Sequence, residues 1–174
     1  TATYQGSALL SDSDNDNNAM FFKDDGTVLY SSGDQNDQIY QYDLTTAWNV
    51  SGILTVQQQL NTGSKTAYPM GIFLGDNGTK LYVTTAVNDV THQYNLNQAW
   101  NVSTGVWNNT VGLAPENNPI DIWFKPDGKT FYTVGYGTDK VNEWQLDYPN
   151  NISISINNTQ IWNYSGTFNQ SNNK

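Results

Sequence analysis

The sequence predicts an all-β fold of the β-propeller type, built from four-stranded antiparallel blades, and three observations support this. Four kinds of residue, a turn glycine, a tyrosine, an aspartate and a leucine, recur with steps of 52 and then 50 positions. The segment AWNVS occurs at 47–51 and again at 99–103. Each copy of the repeat also has an Asn-Gly or Asp-Gly pair between two short apolar runs. A period of about 40 to 50 residues is typical of propeller blades. The recurring residues are Gly26, Gly78 and Gly128; Tyr30, Tyr82 and Tyr132; Asp37, Asp89 and Asp139; and Leu44, Leu96 and Leu146.

Each copy predicts four strands. The first two form a hairpin, because Asn-Gly and Asp-Gly pairs supply the positive φ that a tight turn requires. In the third strand an aromatic residue and the leucine lie two positions apart and so share one face. The predicted first strands of the three copies are Met20 to Phe22, Ile72 to Leu74 and Ile122 to Phe124, and the second strands are Val28 to Ser31, Leu81 to Thr84 and Phe131 to Val134. The third strands are Ile39 to Leu44, Thr91 to Leu96 and Val141 to Leu146. The fourth strands, which are less regular, are Ile53 to Gln57, Gly105 to Asn109 and Ile154 to Gln160.

These strands give a single repeat domain over residues 1–174. Its predicted parts are an orphan fourth strand at 1–10, blades at 17–60, 69–113 and 119–162, and a tail at 163–174. Propellers close with typically four to eight blades. About three blades and an extra strand therefore predict an incomplete ring, or a ring that other chain segments complete.

Composition excludes several classes of partner. The net charge is −9 and all seven basic residues are lysines, so the chain repels phosphate backbones, and neither nucleic acid nor an anionic membrane is expected as a partner. No apolar run approaches the roughly 18 residues of a transmembrane helix, so membrane insertion is not expected. There is no cysteine, which excludes disulfides and thiolate metal sites. Only 13% of the residues are charged, and this composition favours an extracellular surface.

Aspartates are the main candidates for a binding site. Asp12, Asp14 and Asp16 alternate as the first three carboxylates of a calcium loop do, which makes calcium the one candidate cofactor. The loop's glycine and glutamate are replaced by Asn17 and Lys23, and this favours a solvated turn instead.

Asp121 replaces Ala19 and Gly71 at the start of the strand that lines a propeller's channel. It is a candidate ligand for a cation or a sugar hydroxyl, or a carboxylate wetted by the channel, and we favour the latter.

Two further sets of polar residues favour structural roles. The repeated Asp37, Asp89 and Asp139 suit turns in which a carboxylate accepts backbone N–H bonds, because a site usually breaks the symmetry of its scaffold. The single histidine, His92, has no partner for a metal site or a nucleophile motif, which favours a structural role.

Sequons are about twice as frequent as chance predicts. Asn77 is explained by its Asn-Gly turn. The remaining candidates for glycosylation, if the host glycosylates secreted proteins, are Asn49, Asn101, Asn108, Asn151, Asn157, Asn163 and Asn169.

The repeat text, DGTKLYV followed by D-x-V-x-Q-Y-x-L and AWNVS, resembles the repeat of YVTN-like β-propellers. These occur in secreted bacterial and archaeal proteins and in viral and phage structural proteins. The likeness covers about Asn17 to Asn158. It implies a propeller on a cell surface or a virion, and it transfers no catalytic residue.

The first functional hypothesis is a non-enzymatic module of an extracellular or virion surface, which assembles with itself or with other proteins, with carbohydrate as one candidate ligand. The alternative is a propeller hydrolase or lactonase-like enzyme, in which Asp121 and one of Asp12, Asp14 or Asp16 hold a metal at the channel mouth. A third hypothesis is a catalytically silent remnant of a longer adhesin.

Overall fold

β-Strands make up nearly all of the regular structure in the computed structural model, which describes residues 1–11 and 14–152. Two short 3₁₀ turns, Asp76–Gly78 and Val102–Thr104, interrupt the strands. The strands of the described residues are β1 (Ala8–Leu10), β2 (Asn17–Phe22), β3 (Val28–Gly33), β4 (Gln38–Asp43), β5 (Gly52–Leu54), β6 (Val56–Asn61), β7 (Pro69–Gly75), β8 (Lys80–Thr85), β9 (Val90–Leu96), β10 (Gly105–Gly112), β11 (Pro119–Phe124), β12 (Thr130–Gly135) and β13 (Val141–Gln145).

Three antiparallel sheets follow one another as blades. Blade 1 has the strand order β2-β3-β4-β6, blade 2 the order β7-β8-β9-β10, and blade 3 the order β11-β12-β13. The first strands of neighbouring blades contact each other, β2 with β7 and β7 with β11. This arrangement confirms the predicted all-β, incomplete propeller. The fourth strand predicted for blade 3 at residues 154–160 and the predicted tail at 163–174 lie outside the described residues.

The outer edge of blade 1 differs from the sequence prediction. The segment predicted as its fourth strand, Ile53 to Gln57, is divided between β5 and β6, and it is β6 that pairs with β4. β5 pairs in parallel with β1, with Ala8 opposite Gly52. Gly52 has a φ of 99°, a positive value that glycine adopts readily. This allows the chain to turn toward β1 before it enters blade 1 as β6. The first ten residues thus contain a short strand at the edge of blade 1.

Apolar side chains fill the space between neighbouring blades. One cluster joins Val28, Tyr30 and Ile39 of blade 1 to seven buried residues of blade 2. A second joins blades 2 and 3, and includes Tyr82 and Phe124. A third lies on the other side of blade 1, where Ala8 and Leu10 of β1 pack against it. Burial between sheets, at roughly 25 cal/mol per Å² of apolar surface, is the main stabilising term of this fold.

The AWNVS segments pack onto the hairpin turns. In blade 2 the Trp100 amide donates to the Gly78 carbonyl at 2.8 Å, and the indole ring lies over the glycine. A Cβ built on Gly78 would lie 2.2 Å from the ring, and the φ of this residue is 78°. In blade 3 the residue over the turn glycine Gly128 is Asn150 instead of tryptophan. The repeated Trp-Gly pair therefore explains why both residues recur at one spacing.

Replacing Gly78 with alanine is expected to lower the free energy of unfolding by about 3 kcal/mol. A left-handed φ costs a non-glycine residue roughly 1–2 kcal/mol, and displacing a packed ring adds a similar amount. Gly128→Ala is the matched control, with an expected cost of about 1 kcal/mol, because the Asn150 side chain can rotate away. Urea unfolding of both variants checks this, and equal losses would contradict the packing role of the Trp100 ring.

Candidate functional surfaces

Neighbouring blades are joined by a tyrosine from the second strand. The Tyr30 hydroxyl of blade 1 donates to the Trp100 carbonyl of blade 2 at 2.8 Å, and the Tyr82 hydroxyl of blade 2 donates to the Asn150 carbonyl of blade 3 at 2.7 Å. Both tyrosines are fully buried. Burial raises the pKa of both phenols, so they remain donors at any physiological pH.

A glutamine from the third strand forms a second bond across each interface. Gln41 Oε1 accepts from the Val102 amide at 3.2 Å, and Gln93 Oε1 accepts from the Ile152 amide at 2.9 Å. The tyrosine and the glutamine of one blade thus bind the carbonyl and the amide of a single AWNVS-type segment in the next blade. We call the side of a blade that carries the tyrosine and glutamine its trailing face, and the opposite side its leading face.

The trailing face of blade 3 has no following blade among the described residues. Tyr132 lies where Tyr30 and Tyr82 lie in the other blades, and its hydroxyl donates to Glu143 within the same blade at 3.3 Å. Trp123, at the position of Phe21 and Phe73, is 52% exposed. Val141 is 70% exposed, whereas Ile39 and Thr91 at the same position are 0% exposed. An aromatic and aliphatic surface is therefore more exposed to solvent here than the same positions are in blades 1 and 2.

Two of the repeated aspartates hydrogen-bond to the connector that leads into the next blade. Asp37 Oδ1 accepts from the Tyr68 amide at 2.9 Å, and Asp89 Oδ1 accepts from the Asn118 amide at 2.7 Å. Each aspartate has a positive φ and holds the residue before the first strand of the next blade. The backbone N–H bonds expected of a structural aspartate are present, but their donors belong to the following connector rather than to the aspartate's own turn.

Asp14 is bonded to the second hairpin of blade 1. Its side chain is 5% exposed. Oδ1 accepts from the amides of Asp16 and Gln35 at 3.2 Å each, and Oδ2 accepts from the Asn36 amide at 3.1 Å and from the Tyr40 hydroxyl at 3.5 Å. A Cβ on Gly33 would lie 2.2 Å from the Asp14 carboxyl group, so glycine leaves room for it. These donors occupy lone pairs that a calcium ion would need. Asp16 is exposed, and Asp12 lies outside the described residues.

Glu116 is a buried acid that sequence reasoning missed. It is 0% exposed and lies 102 residues after Asp14, at the same place in the repeat. Oε1 accepts from the Asn117 amide at 3.1 Å, and Oε2 accepts from the Thr138 hydroxyl at 2.9 Å and from the Asn142 side-chain amide. Thr66 is the equivalent residue in blade 2. Because it is not an acid, the recurrence of a buried acid at Asp14 and Glu116 was not apparent from the sequence. The repeat spacing of 52 and 50, applied to the connectors, could have found it.

Asp121 lies at the start of β11, where the backbones of blades 2 and 3 approach closely. A Cβ on Gly71 would be 2.6 Å from the Asp121 Cα. The carboxyl group is exposed, and its Oδ1 accepts from the Ile122 amide at 2.9 Å. Among the described residues no group of three or more His, Asp or Glu side chains is placed to hold a metal ion. Because Asp12 is not described, a shared site of Asp121 with the acidic connector stays a prediction.

A shallow groove runs beneath the hairpin turns of the three blades. Its aromatic lining includes Phe21, Phe73 and Trp123, and its polar rim includes Asp24 and Asp76. Phe21 and Phe73 meet edge to face at 5.3 Å between ring centroids. The groove thus offers aromatic faces beside hydrogen-bonding groups.

His92 lies in β9 between blades and is 6% exposed. Its Nδ1 is 2.7 Å from the Thr110 hydroxyl, a satisfied bond between β9 and β10. Burial, with a smaller contribution from the charge of Lys65, lowers the pKa of His92 to about 4. The arrangement is structural, as the sequence favours.

Acidification is expected to destabilise the chain through His92. The unfolded chain takes up this proton near pH 6.5, but the folded chain does so only near pH 4, so stability is intact above pH 6.5 and falls as the pH drops toward 4. The loss should approach about 3 kcal/mol. Unfolding of wild type and His92→Gln at pH 7 and pH 4 measures it, because other groups contribute equally to both proteins. Parallel pH profiles would contradict this assignment.

The predicted sequons differ in exposure. Asn49 and Asn108 are exposed, whereas Asn101 and Asn151 are half-buried. Asn49 and Asn101 each accept a bond from the backbone amide two residues later, that of the serine that ends the AWNVS segment. Asn157, Asn163 and Asn169 lie outside the described residues.

Comparisons with known proteins support the fold. No protein-family model and no curated protein matches the chain. The Swd1 β-propeller domain of Myceliophteria thermophila matches with a TM-score of 0.55 and 13% identity, over 75% of this chain and 38% of that chain. The periplasmic gluconolactonase PpgL of Pseudomonas aeruginosa matches with a TM-score of 0.55 and 13% identity, over 74% and 35%. A protein from Lactobacillus plantarum matches with a TM-score of 0.56 and 18% identity, over 74% and 37%.

The chain thus spans between about a third and two fifths of the length of these solved structures. At such identities the similarity shows the propeller fold alone. In the part of the chain that the structure describes, no helix is both long and apolar enough to cross a membrane.

Proposed function

We propose that the chain is a non-enzymatic structural module of an extracellular or virion surface, of the YVTN-like type, and that it binds protein through the trailing face of blade 3. The observation that carries this proposal is the exposure of Val141, at a position that is buried in the other blades, beside Trp123, which is 52% exposed where Phe21 and Phe73 are half-buried. An apolar surface rimmed by polar groups is typical of a protein interaction site. The low fraction of charged residues and the exposed sequon at Asn108 support an extracellular setting.

Cysteine labelling tests the docking role. Because the chain has no cysteine, Val141→Cys provides a single thiol on the trailing face. In the assembly isolated from its natural source this thiol is expected to react with a maleimide at least ten times more slowly than in the dilute purified chain. Val87→Cys, in an exposed turn of blade 2, is the control and should react equally in both. Equal labelling of Cys at position 141 in both samples would overturn the proposal.

Calcium addition separates this proposal from a lactonase-like hydrolase with a metal at the channel mouth. For a non-enzymatic module the melting temperature should be the same with calcium and with a chelator. A ligand present at 100 times its Kd stabilises by about 2.7 kcal/mol, which is readily measured as a rise in melting temperature. Such a rise, abolished in Asp121→Asn, would favour the hydrolase.

Carbohydrate binding is a second candidate function, favoured by the groove beneath the hairpin turns. Aromatic rings beside a few convergent polar groups are a common lining of small-ligand sites. Titration with soluble oligosaccharides should quench the fluorescence of wild type but leave that of Trp123→Leu unchanged. No quenching across a panel of glycans would exclude this role.

A further inference from the structure

The two ends of the blade array are unlike and complementary. The trailing face of blade 3 is exposed at Trp123 and Val141. The leading face of blade 1 is exposed at Met20 and Trp48, which are 73% and 60% exposed. We infer that the trailing face of blade 3 docks head to tail on the leading face of blade 1 of a second copy of this chain. This rests on the proposed function and names its partner.

The internal interfaces of the chain are two examples of the same contact. The leading face of blade 2 packs on the trailing face of blade 1, and that of blade 3 packs on the trailing face of blade 2. Ile72 and Ile122, at the position of Met20 in the later blades, are each 3% exposed. An end-to-end contact between copies would therefore bury Met20 and Val141 as the fold already buries their equivalents.

Polar groups match at the proposed contact as well. The Tyr132 hydroxyl is in the position from which Tyr30 and Tyr82 donate to a carbonyl, and Trp48 occupies the place of Trp100 in the acceptor segment. Glu143 takes the place of Gln41 and Gln93, and like them it can accept a bond from the amide of the next segment, here that of Val50. The second copy thus supplies the Trp48 carbonyl as an acceptor and the Val50 amide as a donor, two residues apart as in the segment of blade 2.

The first strand leaves the inner part of the leading face open. β1 lies beside β5 of blade 1, much as Leu60 of β6 lies beside Gly105 in blade 2. This chain's own β1 therefore covers the part of the leading face that holds Leu29, Tyr42 and Leu44, and Met20 and Trp48 remain exposed. The strands β11 to β13 of the second copy would cover Met20 as the strands of blade 1 cover Ile72 in blade 2.

A head-to-tail contact either closes into a ring or continues as a filament, and the rotation between copies decides which.

Complementation between two blocked variants tests the inference. Met20→Asp blocks the leading face and Val141→Asp blocks the trailing face, and both sites are exposed, so the fold should tolerate the change. In sedimentation velocity the wild type is expected at a multiple of 19.4 kDa, and each variant alone at 19.4 kDa. The two variants mixed in equal amounts retain one intact pair of faces and should form a 1:1 complex. Val106→Asp, an exposed valine on neither end of the array, should behave as wild type.

Several outcomes would overturn the inference. A wild type that stays at 19.4 kDa at all concentrations would mean that another occupant, such as residues 153–174 or a different protein, covers the trailing face. Assembly that persists in either variant would mean a different interface. Variants that both dissociate but do not complement each other would show that the trailing face and the leading face do not bind each other. If a cysteine at position 141 is protected in the natural assembly while the purified chain is monomeric, the docking role stands and only the second copy is excluded.

Discussion

Replacing Tyr82 with alanine is expected to lower the free energy of unfolding by about 4 kcal/mol, the range found for large aromatic residues removed from a core. The Tyr82 ring is fully buried between blades 2 and 3 and stacks on Phe124 with 4.2 Å between ring centroids. Its hydroxyl also bonds to the Asn150 carbonyl at 2.7 Å. The change therefore leaves a cavity and an unpaired carbonyl in the same interface. Urea unfolding at pH 7 measures the loss.

Tyr132→Ala is the matched control, because it removes the same residue type from the same position of the repeat. In dilute solution its expected cost is below about 1 kcal/mol, since the ring is partly exposed and no blade within residues 1–11 and 14–152 follows it. Tyr82→Phe, which removes only the hydroxyl group, should cost about 1–2 kcal/mol. Similar losses for Tyr82→Ala and Tyr132→Ala would show that the interface between blades contributes little.

The repeat spacing predicted most of the fold because it depends on local chemistry. Gly78 and Asp89 belong to turns whose backbone angles few other residues adopt, so their recurrence marks hairpins directly. The alternation of apolar residues in the strands then fixes which face is buried. Both signals lie within a few residues of each other, and no knowledge of the tertiary structure is needed to interpret them.

The candidate surfaces depend on neighbours that the sequence does not reveal. Tyr82 and Tyr132 are equivalent in the repeat, and only the presence of a following blade makes one buried and the other accessible. Similarly, the alternation of Asp12, Asp14 and Asp16 suggests calcium, yet the amides that Asp14 accepts from belong to a hairpin about twenty residues away. The pairing of β1 with β5 could not be foreseen, because it depends on a turn at Gly52 that no repeat spacing marks.

Replacing Glu116 with alanine is expected to cost about 4 kcal/mol, because hydrogen bonds to a carboxyl group of this kind contribute roughly 1.5–3 kcal/mol each and the half-buried Thr138 and Asn142 would lose their acceptor. The side chain is fully buried and joins the connector before blade 3 to Thr138 and Asn142 of its second hairpin. Glu116→Gln preserves the shape but replaces an acceptor with a donor that faces other donors, and about 2 kcal/mol is expected. Glu143→Gln, on the exposed trailing face, is the control and should change stability by less than about 0.5 kcal/mol.

Asn142 provides the decisive comparison for Glu116. If the bond between them is what holds the hairpin, Asn142→Ala should lose much less stability in the Glu116→Ala background than in wild type, and the coupling energy of the double-mutant cycle should reach at least about 1 kcal/mol. Additive losses would mean that Glu116 stabilises blade 3 through its other contacts alone. Because Tyr40 takes the place of Asn142 beside Asp14, the same cycle in blade 1 would show whether a buried acid secures each connector on which it occurs.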